Sequence, residues 1–119
     1  MVINAKNITK SVVGVRTIVN EGTELNGVIT MGADFYENEE AKVDNKKANK
    51  PNIGIGKNCQ IAKAIIDKDA AIGDNVRINV DGKVYPDGEN KLESGVSFYS
   101  SDGIIVIRKG SVIPAGTVI

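Results

Sequence analysis

Aliphatic residues recur in this chain every six positions, with an occasional step of five. Ile8, Val13, Val19 and Leu25 are separated by 5, 6 and 6; Ile55, Ile61, Ile66, Ile72 and Ile78 by 6, 5, 6 and 6; Ile107, Ile113 and Ile119 by 6 and 6. Neither the period of a helix nor the alternation of an ordinary sheet produces this spacing. A hexapeptide repeat in three separated blocks points to a parallel β-helix: each hexad lays down a short strand and a corner, and three hexads make a triangular coil. The leading aliphatic residue fills the interior. The residue four places later (Val12, Thr17, Thr23, Ile29, Cys59, Ile65, Ala70, Val76, Ser111, Thr117) is small or β-branched and is expected to pack inward at the corner. Glycine follows the leading residue at Gly14, Gly56 and Gly73.

Composition supports the same reading. The 119 residues hold 16 Ile and 14 Val against 2 Leu, and β-branched side chains suit a pleated surface better than a helix. Only five residues are aromatic, whereas a sandwich core leans on aromatics. The expected fold is all-β: a single-stranded parallel β-helix (hexapeptide-repeat solenoid) with two inserted loops, one domain over residues 1–119. Residues 33–52, polar and rich in Lys, Asn and Glu, and residues 79–103, with the turn signal Tyr85-Pro86-Asp87-Gly88, break the register and read as loops leaving a corner.

The five-residue steps set the phase. With three faces A, B and C, Ile55, Ile72 and Val19 lie on A, Ile61 and Ile78 on B, and Ile66 and Val13 on C. If the second loop leaves after B, the chain re-enters on C, and Ile107 falls one coil beyond Ile66. Lys68 and Lys109 are then equivalent third residues of neighbouring hexads, about 4.8 Å apart between strands. Like charges placed so repel, and an anion such as phosphate or a sugar phosphate would relieve them. Arg16 lies on the same face two coils back, and Arg108 adjoins Lys109. The second reading is plain solvated surface, with Asp67 and Asp69 neutralising Lys68.

Several functions are excluded. The chain has no histidine, which removes Ser-His-Asp and Cys-His catalysis, the histidine base of hexapeptide acyltransferases, and the three-histidine zinc site of a β-helix carbonic anhydrase. Fifteen basic residues balance fifteen acidic ones, so no net field points to nucleic acid. Lys42, Lys46, Lys47 and Lys50 are interleaved with acids and read as a solvated loop. No apolar run is long enough to span a bilayer, and Met1–Lys10 holds no signal-peptide stretch. The single Cys59 excludes an internal disulfide, suggests a reducing, cytoplasmic compartment, and reads as core. Phe35-Tyr36 reads as a loop anchor, and Ile53-Gly54-Ile55-Gly56 is no phosphate loop, since no helix pattern follows it.

The stretches SVVGVR (Ser11–Arg16), MGADFYE (Met31–Glu37), PNIGIGKN (Pro51–Asn58), AIIDKDAAIGDNV (Ala64–Val76) and DGIIVIRKGSVIPAGTVI (Asp102–Ile119) resemble the C-terminal left-handed β-helix domain of the ADP-glucose pyrophosphorylase (glucose-1-phosphate adenylyltransferase) family, in order and over nearly the whole chain. The resemblance implies a left-handed β-helix that assembles the enzyme and contributes half of a sugar-phosphate allosteric site. An N-terminal nucleotidyltransferase domain, whose Gly-rich motif and acidic metal ligands are absent from this sequence, would make ADP-glucose from ATP and glucose 1-phosphate with magnesium. The chain alone is therefore expected to be inactive and to need no cofactor of its own. By motif match the family's activator-binding basic residues fall on Lys68 and Lys109. Asp69-Ala70-Ala71 departs from the family's Asn-Ala-Arg, and Arg108, where the family is apolar, would compensate. The expected partners are the nucleotidyltransferase domain, a weakly held phosphate anion and further copies of the chain in a homo-oligomer. A free-standing scaffold or regulatory partner of a separate catalytic chain is the alternative.

Overall fold

In the computed structural model, which describes residues 2–34, 37–48 and 51–119, the aliphatic repeat becomes three stacks of side chains. The chain is mostly strand. One parallel sheet forms face A, in the order β1 (Val2–Ile3), β4 (Ile18–Val19), β6 (Gly54–Ile55), β8 (Ala71–Ile72), β13 (Val112–Ile113). Its register stacks Ile3, Val19, Ile55, Ile72 and Ile113. The second sheet carries faces B and C together. Ile8, Leu25, Ile61 and Ile78 stack on B, where β2 (Asn7–Thr9) and β9 (Arg77–Ile78) flank the first halves of β5 (Glu24–Thr30) and β7 (Gln60–Ile66). Val13, Thr30, Ile66 and Ile107 stack on C, through β3 (Val12–Val13), the second halves of β5 and β7, and β12 (Ile104–Ile107). From Val19 onward every leading aliphatic residue of the repeat is buried. The hexads are thus inward as expected, and Ile107 lies one rung beyond Ile66.

Two features of the repeat differ from expectation. Thr17, Thr23, Cys59, Ala70 and Val76 do pack inward at corners, but Val12 and Ile29 are 63% and 42% exposed, and Ile65 shares their outward row. The cause is the five-residue step. Lys10, Gly27 and Lys63 turn the B-to-C corner with positive φ (49°, 69° and 45°), so β5 and β7 run on through it and the inward residue becomes Val28 or Ala64. A polar residue also fills an interior place: Thr30 is buried, 3.1 Å from Thr17 through the two hydroxyls.

The glycines after the leading residues have a steric cause rather than a conformational one. A Cβ on Gly73 would lie 2.5 Å from the backbone nitrogen of Ala115 on the next rung. Backbone held in a ladder cannot yield as a side chain would. Gly73→Ala should cost about 1–3 kcal/mol through this overpacking; a denaturant midpoint unchanged from the parent would refute the contact.

Both segments read as loops hold regular structure. Within 33–52 lies α1 (Glu39–Lys47), capped by Asn38, whose side chain accepts a hydrogen bond from the Ala41 amide. Glu39 and Glu40 stand in its first turn and Lys46 and Lys47 in its last, which suits the helix dipole. Within 79–103, β10 (Gly88–Lys91) and β11 (Ser97–Ser101) form an antiparallel hairpin, and β11 pairs antiparallel with β12. Val96, Phe98 and Ser100 are buried in it, alternating with exposed neighbours as a one-sided strand should. Phe35, Tyr36 and Lys50 lie outside the described residues. No helix is long and apolar enough to cross a membrane among the described residues.

Candidate functional site

The ladder on face C fixes the lysines. The Asp67 amide donates to the Ile107 carbonyl at 2.8 Å, and the Gly110 amide to the Lys68 carbonyl at 3.0 Å. Lys68 and Lys109 therefore follow paired strands and leave the C-to-A corner side by side. Their side chains are 46% and 61% exposed.

An acid stands between them. The Asp34 carboxylate places Oδ1 3.3 Å from the Lys68 Nζ and Oδ2 3.7 Å from the Lys109 Nζ. The hydrogen bond and charge of Lys68, then the charge of Lys109, hold the Asp34 carboxyl below the ordinary carboxylate range. The segment carrying it is anchored on the preceding rung. The buried Ala33 donates its amide to the Val15 carbonyl at 3.0 Å, and Arg16 Nε donates to the Ala33 carbonyl at 2.8 Å. Gly32, at φ +81°, approaches Val15 so closely that a Cβ there would overlap the Val15 carbonyl oxygen.

The acids beside Lys68 serve a different purpose from the expected one. Asp67 Oδ1 accepts from the Lys68 amide at 2.7 Å, and Asp69 Oδ1 accepts from the Asp34 amide at 2.9 Å. They shape the corner, and the lysines' ion partner is Asp34, which the sequence places 34 residues away from Lys68. Its one signal was its place in the MGAD stretch.

The two arginines are engaged elsewhere. Arg108 Nη1 donates to Glu89 Oε1 at 2.9 Å, and its guanidinium lies 5.9 Å from the Tyr99 ring centre. It joins the hairpin to β12 rather than facing the lysine pair. Arg16, besides its bond to Ala33, lines a groove beside α1 with Lys42 and Lys46, which neither Lys68 nor Lys109 lines. Cys59 is a corner residue: its thiol donates to the Gly73 carbonyl at 3.1 Å, and burial raises its pKa. A buried thiol with a raised pKa is a poor nucleophile.

The arrangement can hold an anion. Two ammonium groups on adjacent rungs share a two-oxygen acceptor, and a phosphate offers the same kind of paired oxygens with more charge.

Comparison with known proteins identifies the family of the fold. The family described as the GLGC left-handed parallel beta-helix domain matches residues 1–118. The chain is 42% identical over 120 residues to the chloroplastic/amyloplastic small subunit of glucose-1-phosphate adenylyltransferase from Triticum aestivum, covering 99% of this chain and 24% of that protein. It is likewise 42% identical over 123 residues to a glucose-1-phosphate adenylyltransferase small subunit from Zea mays, covering 99% of this chain and 92% of that one. The chain thus spans about a quarter of the wheat relative's length and most of the maize relative's. It belongs to the left-handed parallel β-helix domain family of the glucose-1-phosphate adenylyltransferases.

Proposed function

We propose that this chain is the regulatory and oligomerisation domain of a glucose-1-phosphate adenylyltransferase, with Lys68 and Lys109 forming the β-helix half of a sugar-phosphate allosteric site. The observation that carries the reading is the pair of lysines on adjacent rungs, already arranged around an anion. The three stacks of inward residues, repeated in rotation, support a closed left-handed solenoid of three faces as the rigid base for that pair. Magnesium, ATP and glucose 1-phosphate belong to a nucleotidyltransferase domain. This chain's part is to bind and orient the effector's phosphate at the domain junction.

The energetics favour a site completed by a second domain. Two or three charge-assisted contacts contribute about 1.5–3 kcal/mol each at best, and loss of ligand freedom takes back several. That leaves millimolar or weaker binding for the domain alone. Basic groups from a catalytic domain would complete the site.

The test joins this chain to a glucose-1-phosphate adenylyltransferase catalytic domain and measures ADP-glucose synthesis with and without a sugar bisphosphate. Lys109→Glu should abolish the activation and leave basal turnover nearly intact, and Lys68→Glu should act in the same direction. Full activation in both variants would sink the assignment.

A further inference from the structure

The place where a phosphate would bind is taken by a side chain of the same molecule. Asp34 divides its two carboxylate oxygens between the two lysines, at 3.3 and 3.7 Å, and is itself 46% exposed. Its backbone is fixed: Ala33 is buried and hydrogen-bonded at both its amide and its carbonyl, and the Asp34 amide is held by Asp69. The carboxylate can therefore leave the lysines by side-chain rotation alone, and it can never go far.

We propose that Asp34 is a tethered competitor for the Lys68–Lys109 pair, occupying it until a phosphate group displaces it. The idea rests on the reading of that pair as a phosphate site. A tethered acceptor acts at a high effective concentration without any new contact, and apparent affinity falls by the fraction of molecules in which the site is free. The occupant is weakly held, since half-exposed ion pairs of this length contribute little. The released carboxylate goes straight into water, so its displacement strands no buried charge. Selectivity follows. A phosphate monoester brings a charge near −2 and three acceptor oxygens against a single carboxylate, and outcompetes it. A free monocarboxylate only matches Asp34 and lacks the advantage of the tether.

The experiment titrates the 119-residue chain with inorganic phosphate, and separately with acetate, following the backbone amides of Lys68, Lys109 and Gly110 by NMR. Asp34→Asn should bind phosphate roughly three- to tenfold tighter than the parent, the range set by weak exposed ion pairs and site occupancy. It should also acquire acetate binding that the parent lacks. Asp67→Asn removes an equal charge from the residue next to Lys68, keeps the Oδ1 acceptor of the Lys68 amide, and should leave the affinity unchanged. Adding Lys109→Ala to Asp34→Asn should remove the gain. Equal phosphate affinity in the parent and Asp34→Asn, or an equal gain in Asp67→Asn, overturns the competition. The two ideas fail separately: if Lys109→Ala weakens phosphate binding while Asp34→Asn changes nothing, the phosphate site stands and the competitor does not. If Lys109→Ala leaves the parent's phosphate binding unchanged, the site itself is lost. Should Asp34→Asn fail to fold, Asp34→Ser makes the same comparison.

Discussion

Ile72→Asp is expected to remove the cooperative thermal transition of the folded chain. Ile72 is 1% exposed and is stacked between Ile55 and Ile113 on face A. A carboxylate there would meet aliphatic carbon above and below. The backbone amides of neighbouring corners are committed to the ladder, as in the bonds from Gly56 to the Ile72 carbonyl and from Gly73 to the Ile113 carbonyl. An uncompensated buried carboxylate costs several kcal/mol, out of a total stability of about 6–18 kcal/mol for a chain of this length. Stacked repeats sum their stability over each unit and its neighbours, and Ile72 touches the rung on either side. The conservative Ile72→Val should cost only about 0.5–1.5 kcal/mol. Circular dichroism melts of the two variants make the comparison, and an aspartate variant as stable as the parent would mean the side chain is not inward.

The second large effect belongs to Phe98. It is fully buried, belongs to the same apolar cluster as Ile105 and Ile107, and meets the Tyr85 ring edge-on, with centroids 4.8 Å apart and planes at 80°. Phe98→Ala should cost about 3–5 kcal/mol, part of it the aromatic pair, which is worth about 0.5–1.5 kcal/mol beyond its area. The readouts are the melting temperature and the near-ultraviolet signal of Tyr85. If the hairpin were a loose appendage, the variant would melt with the parent.

The residues that the spacing placed correctly are those that repeat. Nothing but a stacked parallel ladder puts Ile55, Ile72 and Ile113 in one column across a 17-residue and then a 41-residue step, and the phase that put Ile107 beside Ile66 also put Lys109 beside Lys68. Thr30 was illegible because a hydroxyl residue occupies an aliphatic place, made tolerable by Thr17 alongside it. The helix α1 buries none of its residues and so has no apolar stripe to show a period. Its signals lay only in the caps and charged ends, Asn38 with Glu39 and Glu40 against Lys46 and Lys47. The hairpin was marked by Val96, Phe98 and Ser100 alternating with exposed residues, a two-residue period standing beside a six-residue one. Asp34 depends on the chain folding back on itself, and no local pattern in residues 31–37 tells which cation it meets.

The antiparallel hairpin has a consequence for how the chain finds its shape. In the parallel ladders the paired residues are at least 16 apart, and several are separated by 36 or 41. Each such pairing must close a long loop before any contact rewards it. The strands from Gly88 to Ile107 are different: Lys91 pairs with Ser97 and Ser101 with Ile104, across only a few residues. Local pairing of this kind carries the smallest loss of chain freedom and favours rapid formation. The strands β10 to β12 can therefore form before the columns they complete, and β12 then offers its free edge to β7 as a template already in register.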